Sequence, residues 1–489
     1  MSLAGFHHSF FHFASNYLFQ LFLYIWCLQA QEARACDQKQ PGCRRCELNK
    51  AKCPGYERPL DIRFHSGPRG FVCRKSRTQR RTTQADTASG ASSENPKNGG
   101  DDVQREILRL RQPRLTWDDE SICYFVHEFS FAAKPDLCSG HLEFLQDLLE
   151  SSPETSPLRP ATLASSYLSL SRRYKSSELY VQARKYYGTA LQSIRNILSK
   201  PLGSWQQEIV AAIMLVHMFE DTDAIFCDDR ASHLQAIAGL FATCGQSLLG
   251  NLQGSSFYPW VFSQLQIYAF TTNQTFSCLS IPACQVNIAH PPTGVVVMVS
   301  KVGRFWSSLQ QALKEHETLD PTAQQARLMQ MMHEAMLTQA ELERWETSLP
   351  AVWKPRVLDA DDGQPLVTYS IRWLGITWTM YSAALAIFYH GVLRCCRVLT
   401  ETSQGEPCSA LETSLLSTAH AMAEQNIVRP IERICSSVPF SLGEISCDGR
   451  RLLPPDYKGC VCYQLIWPLA LVMRSRYSSV DQVQLLRRG

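Results

Sequence analysis

Four thiol side chains crowd into the stretch CDQKQPGCRRCELNKAKC, at Cys36, Cys43, Cys46 and Cys53, with gaps of six, two and six residues between them. Thiolates at such spacings can converge on one tetrahedral zinc ion, the two-residue gap forming a knuckle and the longer gaps forming loops. The elements that must position them are short. Pro41-Gly42 turns the chain ahead of the knuckle. Glu47–Lys52 predicts a short helix, which Pro54-Gly55 stops just beyond Cys53. A mononuclear four-cysteine site for Zn(2+) is the expectation. The alternative is four unrelated cysteines in a loop.

The charge around these cysteines points to a polyanionic partner. Residues 36–81 hold 13 Lys/Arg against 4 Asp/Glu, a local +9 that leaves −6 on the remainder of a chain whose total is +3. Arg34, Lys39, Arg44, Arg45, Lys50 and Lys52 flank the cysteines, and Arg74, Lys75, Arg77, Arg80 and Arg81 follow in RKSRTQRR. Each such side chain that neutralises a phosphate releases counterions and gives salt-sensitive, largely sequence-independent affinity for nucleic acid. The second run reads equally well as a nuclear-import signal, and a solvated face is the bland alternative for both. The 19 cysteines of the 489-residue chain are otherwise scattered in apolar contexts, unlike a disulfide scaffold, which places the chain in a reducing compartment.

The cysteine stretch resembles the second two-thirds of the fungal binuclear zinc-cluster (six-cysteine) transcription-factor domain. Asp37, Pro41, Cys43, Cys46, Cys53 and Pro54-Gly55-Tyr56 match its pattern, and the continuation Glu57–Phe64 resembles that of one large subgroup. On this alignment Cys36, Cys43, Cys46 and Cys53 are the third to sixth ligands. The first two fall near Trp26 and Gln29, with Cys27 one residue out of register. The family's basic first helix is replaced by Leu28–Ala35, which carries one basic residue. One bridging ligand is therefore gone, so the two-zinc cluster cannot form in the family manner, whereas four thiolates still suffice for one zinc. The resemblance implies double-stranded DNA with CGG-type half-sites, a homodimer, transcriptional co-regulators as partners, a nuclear location and no membrane.

Residues 1–33 are atypical. No charged side chain precedes Glu32, and Tyr17–Leu28 is almost wholly apolar. At 12 residues that run is short for a membrane-spanning helix, which needs about 20. Ala33-Arg34-Ala35 resembles a signal-peptide cleavage site, but no basic residue precedes the apolar run. An altered start, standing where the missing part of the cluster belongs, is the preferred reading.

Residues 66–116 form a basic and then polar linker, predicted to be disordered because Thr82–Asp102 offers almost nothing to bury. From about Trp117 the pattern changes. Ile209, Ile213, Val216 and Phe219 recur at helical spacing, as do Ala183, Tyr187, Ala190, Leu191, Ile194 and Leu198. Roughly ten to fourteen such stretches follow one another, and Gly294–Met298 is the one strong β-branched run. An all-α fold with one extended core follows for residues 117–489. This part resembles the helical regulatory region of fungal zinc-cluster factors. The likeness is carried by His233-Leu234 with Ile237–Leu240, by Leu342, Trp345, Leu349-Pro350 and Trp353, by Ile434–Phe440 and by Trp467-Pro468-Leu469. Four parts result: an apolar N-terminus (1–33), a partial zinc-cluster domain (34–65), the linker (66–116) and the helical regulatory domain (117–489).

Catalytic constellations are missing from the sequence. It has no G-x-S-x-G elbow, no phosphate-binding P-loop and no dinucleotide fingerprint, and His333-Glu334 lacks the second histidine of a zincin helix. His217 reads as a core histidine, the Cys395-Cys396 and Cys460-x-Cys462 pairs as structural thiols, and Trp373, Trp378, Tyr381 and Phe388 as core rather than an effector pocket. The chain is thus expected to be no enzyme but a zinc-dependent, DNA-binding regulator of RNA polymerase II genes, of a metabolic or secondary-metabolite set. A non-DNA-binding interaction protein derived from such a factor is the second reading. A membrane or secretory form, with a true signal at the N-terminus, is the third.

Overall fold

The computed structural model describes residues 116–134, 137, 140–199, 207–223, 233–239, 257–272, 291–315, 321–359, 365–402, 410–480 and 482. Helix dominates these residues, as the periodicity predicts. In chain order the longer elements are α1 (Trp117–Phe129), α2 (Phe144–Ser151), α3 (Leu158–Tyr174), α4 (Ser177–Leu198), α5 (Gln207–Asp223), α6 (Phe257–Thr272), α7 (Pro291–Lys314) and α8 (Pro321–Ser348). A 3₁₀ turn (Ala351–Trp353) and strands β1 (Arg356–Asp359) and β2 (Pro365–Thr368) lead into α9 (Arg372–Thr402). Helices α10 (Ala410–Asn426), α11 (Val428–Leu442) and α12 (Gly459–Arg474) complete the fold.

Local chemistry sets the first boundaries. Thr116 and Asp119 form a reciprocal capping box, each side chain taking the other's backbone N–H at 3.2 Å. This satisfies donors that the first turn of α1 otherwise leaves open. At the end of α3, Lys175 turns left-handed at φ 51°, and the next residue, Ser176, caps α4 by accepting from Leu179 N–H at 3.3 Å. The two helices consequently fold back on one another as a hairpin.

Burial follows the predicted stripes, with instructive departures. On α4, Ala183, Ala190 and Ile194 are buried and Tyr187 and Leu191 flank them, but Leu198 is 38% exposed. Helix α5 is buried all round, since Val210, Ala211, Ala212, Met214 and Leu215 are as enclosed as the predicted face. A helix apolar on every side is one that lies in the centre of a fold.

The β-branched run Gly294–Met298 is helical, lying in the first turns of α7. Pro291 and Pro292 start that helix, where a missing N–H costs nothing. Valine's intrinsic penalty in a helix is at most about 0.7 kcal/mol per residue, against about 1.5–3 kcal/mol for burying a large apolar side chain. The buried series Val297, Met298, Val302, Phe305 and Leu309 therefore decides the outcome. Extended structure occurs instead at β1 and β2, an antiparallel pair in register from Arg356 opposite Thr368 to Asp359 opposite Pro365. The Thr368 hydroxyl donates to the Cys447 carbonyl at 2.9 Å and ties this hairpin to the segment after α11.

Helix α9 is the axis of the core and packs on α7, α8, α10, α11 and α12. It is long and apolar enough by composition to cross a membrane, yet 72% of its most apolar window is buried against its neighbours, as befits a core helix. Four of the residues singled out in the sequence, Leu342, Trp345, Leu349 and Trp353, are buried beside it. Trp378 Nε1 donates to the Trp353 carbonyl at 2.7 Å, and the Trp345 and Trp378 rings both meet Tyr381 edge-on, at 5.2 and 5.6 Å.

Candidate functional site

The metal and phosphate residues predicted from sequence lie outside the described residues. These are Cys36, Cys43, Cys46 and Cys53; Arg34, Lys39, Arg44, Arg45, Lys50 and Lys52; and Arg74, Lys75, Arg77, Arg80 and Arg81. Among the described residues, no group of three or more His, Cys, Asp or Glu side chains is arranged to hold a metal ion.

The Cys395-Cys396 pair and Cys460 are buried, as expected of structural thiols. Burial pushes the Cys395 thiol up to about 12 and Cys396 up to about 11, and their sulfurs sit 3.7 and 3.9 Å from the carbonyls of Leu328 and Leu416. Cys460 is fully buried and its thiol is likewise pushed up. Thiols held protonated in this way are poor nucleophiles.

A partly open cavity with a volume of about 110 Å³ is bounded by α6, α7, α9, α12 and the loop ahead of α2. Trp260 and Phe270 on α6, Trp353 on the 3₁₀ turn, Trp373 and Tyr381 on α9 and Trp467 on α12 give it aromatic walls, and α7 adds a valine face. Trp378, Tyr381 and Phe388 belong to the core as predicted, Tyr381 also facing this cavity, whereas Trp373 is only partly buried and lines it. Trp467, from the Trp-Pro-Leu stretch, stacks on Phe270 at 5.6 Å between ring centres.

His141 enters the wall by a constrained route. It lies between Gly140 at φ 77° and Leu142 at φ 50°, so a left-handed residue stands on each side of the histidine. For a branched residue such as Leu142 that backbone costs about 1–3 kcal/mol and persists only where the surroundings enforce it. Backbone bonds between Phe131 and His141, at 2.9 and 2.8 Å, pin the loop. The imidazole stacks on Trp373 at 4.9 Å and meets Trp260 edge-on at 6.4 Å. Burial pushes it down to about 3, so it is neutral near pH 7.

The polar atoms of the wall divide into two kinds. Ser263 and Thr377 donate to their own helices, at the carbonyls of Trp260 and Trp373, and Gln266 donates to Ser300 at 3.2 Å. The Tyr381 hydroxyl is enclosed with no hydrogen-bond partner among the described residues, and the His141 imidazole and the Gln464 amide, on residues 3% and 6% exposed, make no side-chain hydrogen bond there. The described lining contains no Asp, Glu, Lys, Arg or Cys. Such a wall can bind and orient a small molecule, and it supplies neither an activated nucleophile nor a charged acid or base.

Two charged clusters are built differently. Glu220, 2% exposed, accepts at Oε1 from Tyr187 (2.7 Å) and from His233 (2.9 Å). Burial drives its carboxyl up, but those two hydrogen bonds and the neighbouring histidines outweigh it and hold the group below the usual carboxylate range. His217, predicted to be a core histidine, is buried with Nε2 3.5 Å from Asp221. Across the fold, Arg433 pairs with Glu346 at 2.7 Å and lies 4.7 Å over the Trp378 ring. The His233 stretch noted in the sequence thus serves a buried carboxylate through a hydrogen bond.

The helical domain matches a known family. The model described as the fungal specific transcription factor domain covers residues 124–404, more than half of the 489-residue chain. Of the stretches that carried the resemblance in sequence, Ile434–Phe440 and Trp467–Leu469 lie beyond that match. No curated protein and no solved structure matches the chain. A helical bundle around α9, with the family's domain running from within α1 to just past the end of α9, makes this chain a member of the fungal specific transcription factor domain family, and a transcription regulator.

Proposed function

We propose that the chain is a zinc-dependent, DNA-binding transcription factor acting on RNA polymerase II genes in the nucleus, with a metabolic or secondary-metabolite gene set as its target. The observation that carries this reading is an order along the chain: a basic four-cysteine segment at 36–53, then the family's domain at 124–404. In this reading Cys36, Cys43, Cys46 and Cys53 hold one Zn(2+), which folds the segment and does no chemistry of its own. Lys39, Arg44, Arg45, Lys50 and Lys52 contact DNA phosphates, with Arg34 ahead of them, and the Arg74–Arg81 run adds phosphate contact or nuclear import. The helical domain supplies regulation, co-regulator contact and a homodimer interface.

The test uses the purified full-length chain. Metal analysis is expected to return one zinc per chain, lost together with DNA retention on adding a chelator. Binding to a duplex carrying CGG half-sites is expected to weaken steeply with salt, by a slope of roughly −0.9 per phosphate neutralised. A chain without zinc, or one that retains no duplex even at low salt, overturns the proposal. The second outcome would favour a non-DNA-binding modulator of a related factor, a reading supported by the single basic residue in Leu28–Ala35.

A further inference from the structure

We propose that the cavity beneath His141 is a binding site for a small uncharged molecule built on a single aromatic ring and bearing one hydrogen-bonding group. The proposal concerns the helical domain alone and stands whether or not the chain binds zinc or DNA.

Charge is decided by the wall. With no ionic side chain among the described lining residues, an ion entering the cavity sheds part of its hydration and meets no counter-charge among them. Size is decided by the volume. About 110 Å³ is somewhat less than the roughly 150 Å³ of an apolar cavity known to take benzene, so one ring is the size that the walls enclose. Ring character follows from Trp260, Trp353, Trp373 and Trp467, which prefer edge-on or offset contact with another π-system.

The polar group follows from what is left unmet. Buried polar side chains are hydrogen-bonded as a rule, and exceptions ask for a cause. The Tyr381 hydroxyl is such an exception and lines the cavity, where His141 and Gln464 also make no side-chain hydrogen bond among the described residues, and the backbone around His141 is strained to bring it there. A neutral imidazole offers one acceptor and one donor, and an amide offers both kinds. A hydroxyl or N–H on the ring meets either.

The experiment titrates the full-length chain by calorimetry with phenol, benzoate and cyclohexanol. Phenol is expected to saturate with a Kd below about 1 mM, within the affinity that seven heavy atoms can supply. Benzoate, of similar size but charged, is expected to bind at least tenfold more weakly, and cyclohexanol, which lacks the π-system, at least threefold more weakly. Val296→Phe fills the cavity from α7 and is expected to weaken phenol at least tenfold. His141→Phe keeps a ring against Trp373 but removes both nitrogens, and is expected to weaken phenol at least threefold. The ranking of the three compounds on the unaltered protein requires neither variant to fold. Absence of saturation by phenol, benzoate or cyclohexanol binding as tightly as phenol, or phenol affinity unchanged in a folded variant, overturns the proposal. A cavity that holds only water gives the first of these results.

Discussion

The Glu220 cluster and the cavity beneath His141 bury polar groups in the same helical domain by opposite means. Around Glu220 the protein supplies partners for one carboxylate oxygen: Oε1 takes donors from Tyr187 on α4 and from His233, Oε2 has none among the described residues, and the depressed pKa records that the bonds outweigh burial. Around His141 the protein supplies aromatic surface and leaves imidazole and amide without side-chain partners. Consecutive residues of α12 face the two environments. The Tyr463 hydroxyl donates to Asp221 at 3.0 Å, in the charged cluster, while Gln464 lines the cavity.

The largest expected effect tests the first half of that contrast. Glu220→Ala leaves the Tyr187 hydroxyl and the His233 imidazole without this acceptor, which costs about 1–3 kcal/mol for each, read as a lower midpoint in chemical denaturation followed by circular dichroism. Because its folded pKa is depressed, the contribution of Glu220 is present above the ordinary carboxylate value of 4.5 and is lost as pH falls below it. A variant as stable as the parent at pH 7 would erase the distinction.

His141 should give the next largest effect, and only in acid. Its imidazole is pushed from 6.5 to about 3 in the folded state, so below pH 6.5 the unfolded chain takes up a proton that the folded chain does not. Stability should therefore fall from pH 6.5 toward pH 3, by roughly 2 kcal/mol at pH 5. His141→Phe should abolish that share of the slope, as denaturation midpoints at pH 7 and pH 5 would reveal.

Two smaller effects sharpen the comparison on α12. Tyr463→Phe removes a hydroxyl bonded to Asp221 and should cost about 1 kcal/mol. Gln464→Met, at the adjacent position, gives up no protein hydrogen bond and should stay within about 0.5 kcal/mol of the parent. Equal losses at the two positions, measured in the same denaturation series, would mean that Gln464 is tied down within the protein after all.

The sequence made the helices legible wherever one face alone is apolar, as on α4, because a 3.6-residue period survives there. It was less legible at α5, where burial on every side leaves no period to read. The Gly294–Met298 run misleads because β-branched side chains favour strands locally, and only the core packing of α7 reverses that preference. Strands β1 and β2, four residues each, are too short for alternation to register. The cavity left no trace in the sequence. Its walls come from segments as far apart as Leu137 and Trp467, and the near-helical spacing of Trp373, Trp378 and Tyr381 marks a buried helix without saying which rings face a void. His141 had one local signal, a glycine immediately before it, which is too common to single out.

Arg372, at the first turn of α9, donates to both the carbonyl (2.5 Å) and the carboxylate (3.0 Å) of Asp456, shortly before α12 begins. This brace lies beside Gly443, whose left-handed turn (φ 81°) leaves no room for a side chain, since a Cβ there would meet the Asp456 carbonyl at 2.5 Å. The helices carrying Trp373 and Trp467 are thereby clasped at their entry ends whether or not anything sits between them. A visitor meets walls already in place and forfeits little freedom of the host on arrival, so its own few contacts count almost in full toward how long it stays.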